Sequence, residues 1–131
     1  MARKEAREFA MQSIFQMEVQ SDFTSPDIEK YLTREELGEQ KSYVKQLLTL
    51  ISSNIETIDQ VINHNSQGWP TTRMAKADLA IVRLAVGEIL FMDEVPNAVA
   101  INEAVNMAKR YGTEQSPKFI NAVLGKIGTA S

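Results

Sequence analysis

"MAKADLAIVRLAVGEILFM", residues 74–92, is the stretch whose reading decides the fold. Wound at about 100° per residue it is apolar nearly all round, which marks a helix enclosed by other helices rather than one lying on a surface. Its charges are therefore informative. Asp78, Arg83 and Glu88 must each reach solvent or find a partner, because a buried charge left unpaired is strongly destabilising. Gly87, inside the same helix, costs about 1 kcal/mol relative to alanine and suits a close helix crossing.

Upstream, Val44, Leu48, Ile51, Ile55, Ile58 and Ile62 step by four and three in turn, which predicts one helix of about five turns with a narrow apolar seam. Between the two stretches lies "HNSQGWPTTR", residues 64–73, whose Gly and Pro mark a linker. It divides a single domain into an N-terminal half, about residues 1–63, and a C-terminal half, about residues 70–131. A first helix is expected over roughly residues 3–20. A second is expected from Ser25-Pro26, an N-cap and first-turn proline, burying Ile28, Tyr31 and Leu32 and closing near Gly38. Beyond the central stretch, Ile101, Ala104, Val105 and Ala108 form the buried face of a helix that ends at Gly112. A last helix starts at Ser116-Pro117 and buries Ile120, Val123, Leu124 and Ile127. Apolar residues recur at three- and four-residue spacing with little strict alternation, so the fold class is all-α.

The chain has 131 residues, 44% of them hydrophobic, enough for one domain with a sizeable core. It has no cysteine, hence no disulfide framework, thiol nucleophile or thiolate metal site, and a cytoplasmic protein is expected. The start "MARKEAREFAMQ" lacks a long apolar run, and no window approaches 18 consecutive apolar residues, so neither export nor a membrane partner is expected. The net charge of −3 argues against a protein that coats nucleic acid through bulk charge. Its distribution is uneven: residues 109–131 carry Lys109, Arg110, Lys118 and Lys126 against Glu114 alone, a net +3, while residues 1–108 carry −6. A second basic cluster, Arg3, Lys4 and Arg7, sits at the opposite end of the chain.

The inventory for catalysis is thin. His64 is the lone histidine and is expected to be solvated in a loop. There is no Gly-rich phosphate loop and no HExxH or comparable metal spacing, and most of the carboxylates fall on solvated helix faces. The expectation is a protein that is not an enzyme and carries no cofactor or metal. Binding surfaces are easier to find. On the first helix Ala6, Phe9, Ala10, Ser13, Ile14 and Met17 form a core-facing arc, and Glu5, Glu8, Gln12 and Gln16 a narrow polar one. The remaining sector joins Arg3, Lys4 and Arg7 to Met11 and Phe15. Those two apolar side chains either pack beneath a neighbouring helix or extend a surface on which cations grip phosphate while a ring supports a base. In "YGTEQSPKFINAVL", residues 111–124, Lys118 and Phe119 fall at a helix N-terminus, where backbone N–H groups and the macrodipole favour anions. Phe119 lies at the edge of the buried face, as a core residue or as a platform for a base.

Three blocks, "ARKEAREFAMQSIFQ", "AKADLAIVRLAVGEIL" and "VPNAVAINEAVNMAKRYGTEQSPKFINAVLGKI", resemble the NusB family of bacterial transcription antitermination factors. The resemblance spans essentially the whole chain and is weakest over residues 20–72. It implies six or seven helices in two packed three-helix bundles and a non-enzymatic role. It also implies binding of boxA-type single-stranded RNA as a heterodimer with NusE, a small-subunit ribosomal protein, within an RNA polymerase antitermination complex that supports ribosomal RNA transcription. Some relatives pair with themselves, so a homodimer is a further partner state that the resemblance carries. Carried over by position, Arg3, Lys4, Arg7, Gln12, Lys118 and Phe119 are the RNA-binding residues, and Phe15 and Asp78 face the protein partner. Phe15 stands where the family usually has tyrosine, so stacking is retained and a hydroxyl contact is lost. Gln115 replaces an aspartate, reducing negative charge beside the RNA. The competing reading is a protein-docking helical module without RNA binding, in which Met11, Phe15 and the central helix form the docking face.

Overall fold

The computed structural model describes residues 1–24 and 26–129. Six α-helices occur among the described residues: α1, Arg3–Val19; α2, Lys41–Ser53; α3, Ile55–Asn65; α4, Lys76–Phe91; α5, Asn97–Tyr111; and α6, Ser116–Thr129. No strand occurs among the described residues. The stretch that is apolar all round becomes α4, and it packs against each of the other five. Leu79 to Glu88 are buried without interruption. One contiguous apolar core results, with Ile14, Leu47, Leu48, Ile51, Ile58, Ile62, Ile81, Leu84 and Ile120 among its fully enclosed side chains.

Two expectations over the N-terminal half are corrected. The seam from Val44 to Ile62 is buried at each of its expected positions except Ile55, which is half-buried, but it belongs to two helices and not one. The break is at Asn54 (φ −122°, ψ 23°), whose side-chain amide donates to the Leu50 carbonyl at 2.8 Å. A side chain that serves a nearby carbonyl competes with the backbone ladder, and Ser52-Ser53-Asn54 is a run of residues that do this readily. The helix expected between Pro26 and Gly38 is replaced by two short 3-10 segments, Ile28–Tyr31 and Glu35–Gln40; its proposed cap, Ser25, lies outside the described residues. Leu32 and Leu37 are the buried anchors of this segment, too few for a helix whose stability must come from an apolar face. The six helices therefore arise differently from the six inferred. His64, expected in a loop, is exposed in the last turn of α3.

The charges of α4 behave as their burial demands. Arg83 places Nε and Nη2 on the two Asp59 carboxylate oxygens at 2.9 and 2.8 Å, and Nη1 on Glu18 Oε1 at 2.7 Å, tying α4 to α3 and α1. Glu88, fully enclosed, accepts from Arg7 of α1 and from the Tyr43 hydroxyl of α2. Gly87 sits where α4 crosses α2: a Cβ there would stand 2.7 Å from Ile51 Cγ1.

Candidate nucleic-acid interface

The functional residues nominated from sequence come from α1, α4 and α6, and the packing of these helices distributes them over three concavities and one exposed terminus. Gln12 and Phe15 project from α1 into a cavity of about 320 Å³ that they share with Met11, Ala77 of α4 and Tyr111 of α5. Asp78 follows Ala77 in the chain and lines a second, larger cavity of about 540 Å³, together with Phe119 of α6. Neighbouring residues in the first turn of α4 thus line two separate cavities. Lys118, although adjacent to Phe119, turns about 100° away. It rims a groove between α5 and α6 floored by Ile101 and Val105 and flanked by Asn102 and Asn121.

Arg3 and Lys4 are exposed at the start of α1. Arg3 is held in place, its Nε donating to Gln40 Oε1 at 2.7 Å and its guanidinium lying 4.0 Å from the centroid of the Tyr43 ring. Lys4 and Lys118 make no ion pair among the described residues, which leaves both ammonium groups available to an anion. Arg7 is different. It is 6% exposed, and its guanidinium lies on Glu88 with Nε 3.0 Å from Oε1 and Nη2 3.0 Å from Oε2. Burial disfavours the charge on Arg7, but the hydrogen bond and charge of Glu88 outweigh this and hold its pKa above the ordinary value. Burial, followed by the Glu88 charge, also pushes the Tyr43 phenol far up. The expectation that Arg7 belongs to an exposed basic arm is therefore corrected: the seventh position faces α4, and the arm consists of Arg3 and Lys4. Met11 is likewise a core residue, 3% exposed, whereas Phe15 stays half-buried at its cavity.

Periodicity does not single out Trp69, Arg73, Tyr111 or Arg110, yet packing brings them beside the nominated residues. Trp69, the only tryptophan, is 50% exposed and lines the cavity of Asp78 and Phe119, with the Arg73 guanidinium 5.8 Å from its ring centroid. A large aromatic in a Gly-Pro loop was the available signal, since such a residue has no helix face to bury. Tyr111 and Arg110 close α5 onto α1: the Tyr111 hydroxyl donates to Glu8 Oε2 at 3.0 Å, Arg110 Nη1 reaches Glu8 Oε1 at 3.0 Å, and Gln12 Nε2 approaches the Tyr111 oxygen at 3.4 Å. Burial and the Glu8 hydrogen bond push the Tyr111 phenol up, so it remains a donor at neutral pH.

The start of α6 also differs in detail from a simple serine cap. Ser116 Oγ accepts the Thr113 N–H at 2.9 Å, bracing the turn out of α5 instead of capping α6. Gly112 is required there, because a Cβ would collide with the Ser116 side chain. Phe119 and Lys118 are thereby presented from a rigid turn.

Among the described residues no group of three or more His, Cys, Asp or Glu side chains could hold a metal ion, and no helix is long and apolar enough to cross a membrane. The description of the NusB family matches residues 4–129. The transcription antitermination protein NusB of Alkaliphilus oremlandii is 42% identical over 127 residues, covering 96% of this chain and 92% of that protein, and its counterpart from Listeria innocua is 40% identical, covering 97% and 96%. The solved structure of T. maritima NusB superposes with a TM-score of 0.89 at 31% identity, over 99% of this chain and 92% of that one. A crystal structure of the antitermination factors NusB and NusE in complex with dsRNA shares the fold, with a TM-score of 0.82 at 24% identity over 98% of this chain and 97% of that one. The chain belongs to the NusB family, a family of transcription antitermination factors and not of enzymes.

Proposed function

We propose that this protein is a cytoplasmic antitermination factor that binds boxA-type single-stranded RNA as a heterodimer with NusE and so supports transcription of ribosomal RNA within an RNA polymerase complex. The observation that carries the reading is a pair of cavities lined by the neighbouring α4 residues Ala77 and Asp78, which hold Gln12 and Phe15 in one and Asp78 and Phe119 in the other. Concavities walled by aromatic side chains suit unstacked bases, which a duplex does not offer, and this favours a single strand. Arg3, Lys4 and Lys118 supply exposed positive charge for phosphates, and the relative found with NusE and dsRNA has the same fold.

The cations are few. With about three phosphates neutralised by these cations, log K falls against log salt with a slope of about −2 for a single strand, and so few contacts hold RNA alone weakly at physiological salt. NusE supplies the remaining charge and surface, with Phe15 and the first turn of α4 at the junction. Titration of fluorescent boxA-type RNA at several salt concentrations, with and without NusE, tests the proposal. Sequence-selective binding that strengthens with NusE is expected; none even with NusE present would leave a protein-docking module as the better reading.

A further inference from the structure

We propose that Tyr111 is a positioning residue for RNA: its hydroxyl, held by Glu8, orients the amide of Gln12, so that the glutamine meets the strand with its carbonyl oxygen and one N–H free in a fixed order. This rests on the RNA-binding function proposed above and deepens it at one place on α1. The starting point is a contrast between two glutamines. Gln12 and Gln16 are both exposed and line the same cavity as Phe15 and Tyr111. Gln12 Nε2 approaches the Tyr111 oxygen at 3.4 Å, whereas the Gln16 side chain makes no hydrogen bond among the described residues.

Elementary chemistry sets the direction of this chain of bonds. The Tyr111 oxygen carries one proton, and Glu8 Oε2 accepts it at 3.0 Å. Arg110 Nη1 donates to the other carboxylate oxygen at 3.0 Å, so Glu8 is anchored through both oxygens. Burial and the Glu8 hydrogen bond push the Tyr111 phenol up, which keeps its proton in place at neutral pH. What the phenol offers Gln12 is therefore a lone pair, which attracts the amide N–H and repels the amide oxygen. The flipped amide is disfavoured, and the tether removes part of the rotamer freedom that a loose glutamine would lose on binding.

The position of Gln12 says why RNA meets it. Gln12 stands eight residues after Lys4 on α1, about 12 Å along the axis, and one turn before Phe15. A strand that leaves the exposed Arg3 and Lys4 for the aromatic cavity passes it. Glu8 lies between them and would repel phosphate if bare, but Arg110 counters its charge and its two oxygens are engaged. Phe15 brings no polar atom to the cavity, so discrimination between hydrogen-bonding edges falls to the amide. A free oxygen and a free N–H in a fixed order match an edge that sets a donor beside an acceptor.

The test is a double-mutant cycle on the full chain with NusE and fluorescent boxA-type RNA. Tyr111→Phe removes the hydroxyl and keeps the ring. It is expected to weaken RNA binding about fivefold, the scale of one hydrogen bond, with the salt slope unchanged. Gln12→Ala should also weaken binding, and in that background Tyr111→Phe should cost nothing further. In a Gln16→Ala background Tyr111→Phe should still cost about fivefold; disappearance of its effect there would transfer the tether to Gln16 and overturn the assignment. RNA binding that Tyr111→Phe or Gln12→Ala leaves unchanged would overturn this role and leave the RNA-binding function intact. So would an equal loss from Tyr111→Phe with and without Gln12, which would give Tyr111 a role of its own in packing or contact. A changed salt slope would overturn it too, tracing the loss to the charges of Glu8 and Arg110. Absence of RNA binding by the unaltered protein with NusE present would overturn both.

Discussion

Arg7 and Glu88, 81 residues apart in sequence, meet in the core with two guanidinium–carboxylate contacts of 3.0 Å. Glu88 is fully enclosed, and the Tyr43 hydroxyl donates to the same carboxylate at 3.0 Å, so one acidic group ties α1, α2 and α4 together. This relationship turns a residue that sequence places in a basic arm into a part of the scaffold that holds the arm.

Removing one member should accordingly destabilise the fold. Arg7→Met leaves Glu88 buried without its countercharge, and a loss of roughly 3–5 kcal/mol is expected. Arg7→Lys keeps the charge but not the planar fork, and it should recover only part of the loss. Urea unfolding measures both. Unaltered stability accompanied by weakened RNA binding would mean that Arg7 serves the ligand and not the core.

Lys118→Ala should behave in the opposite way. Its ammonium group is exposed and unpaired among the described residues, so thermal stability should not fall. RNA affinity should fall and the salt slope should become shallower by about 0.7, the signature of one lost contact to a single-strand phosphate. An equal fall in melting temperature would return Lys118 to a structural role.

Gly87→Ala tests the crossing of α4 over α2. Helix propensity alone predicts a gain of about 1 kcal/mol. The added Cβ would stand 2.7 Å from Ile51 Cγ1, and Ile51 is fully enclosed, so overpacking should win with a net loss of about 1–3 kcal/mol. Denaturant unfolding decides the sign.

Acid stability should depend on Glu18. Burial alone raises its pKa, but the hydrogen bond and charge of Arg83, with Lys76, outweigh burial and hold the carboxyl below its ordinary value of 4.5. The unfolded chain therefore binds the proton more readily, so this contribution is complete above about pH 4.5 and is lost as pH falls through the folded-state value. Glu18→Gln should flatten the acid limb of stability against pH relative to the unaltered protein and leave the shape near pH 7 unchanged. Equal acid limbs in the two proteins would show that Arg83 holds Glu18 no differently from solvent.

Local pattern in the sequence determined the all-α class, the enclosure of α4, the extent of α1, the start of α6, and the buried faces of α6 and of the seam from Val44 to Ile62. These follow from periodicity and punctuation, which act over a few residues and need no knowledge of neighbours. The break at Asn54 and the 3-10 path of residues 28–40 were less legible, because both depend on a balance between weak local preferences and how much apolar surface the rest of the chain can cover. The site divides in the same way. Phe119, Phe15 and Gln12 could be singled out one by one, but only tertiary packing decided that the first turn of α4 lines both of their cavities, that Lys118 faces a different groove, and that Arg7 points inward. Asp78 was visible as a charge on an enclosed helix; that its Oδ1 is buried without a hydrogen-bond partner among the described residues while Arg83 and Glu88 are paired depends on neighbours distant in sequence, about which periodicity carries no information.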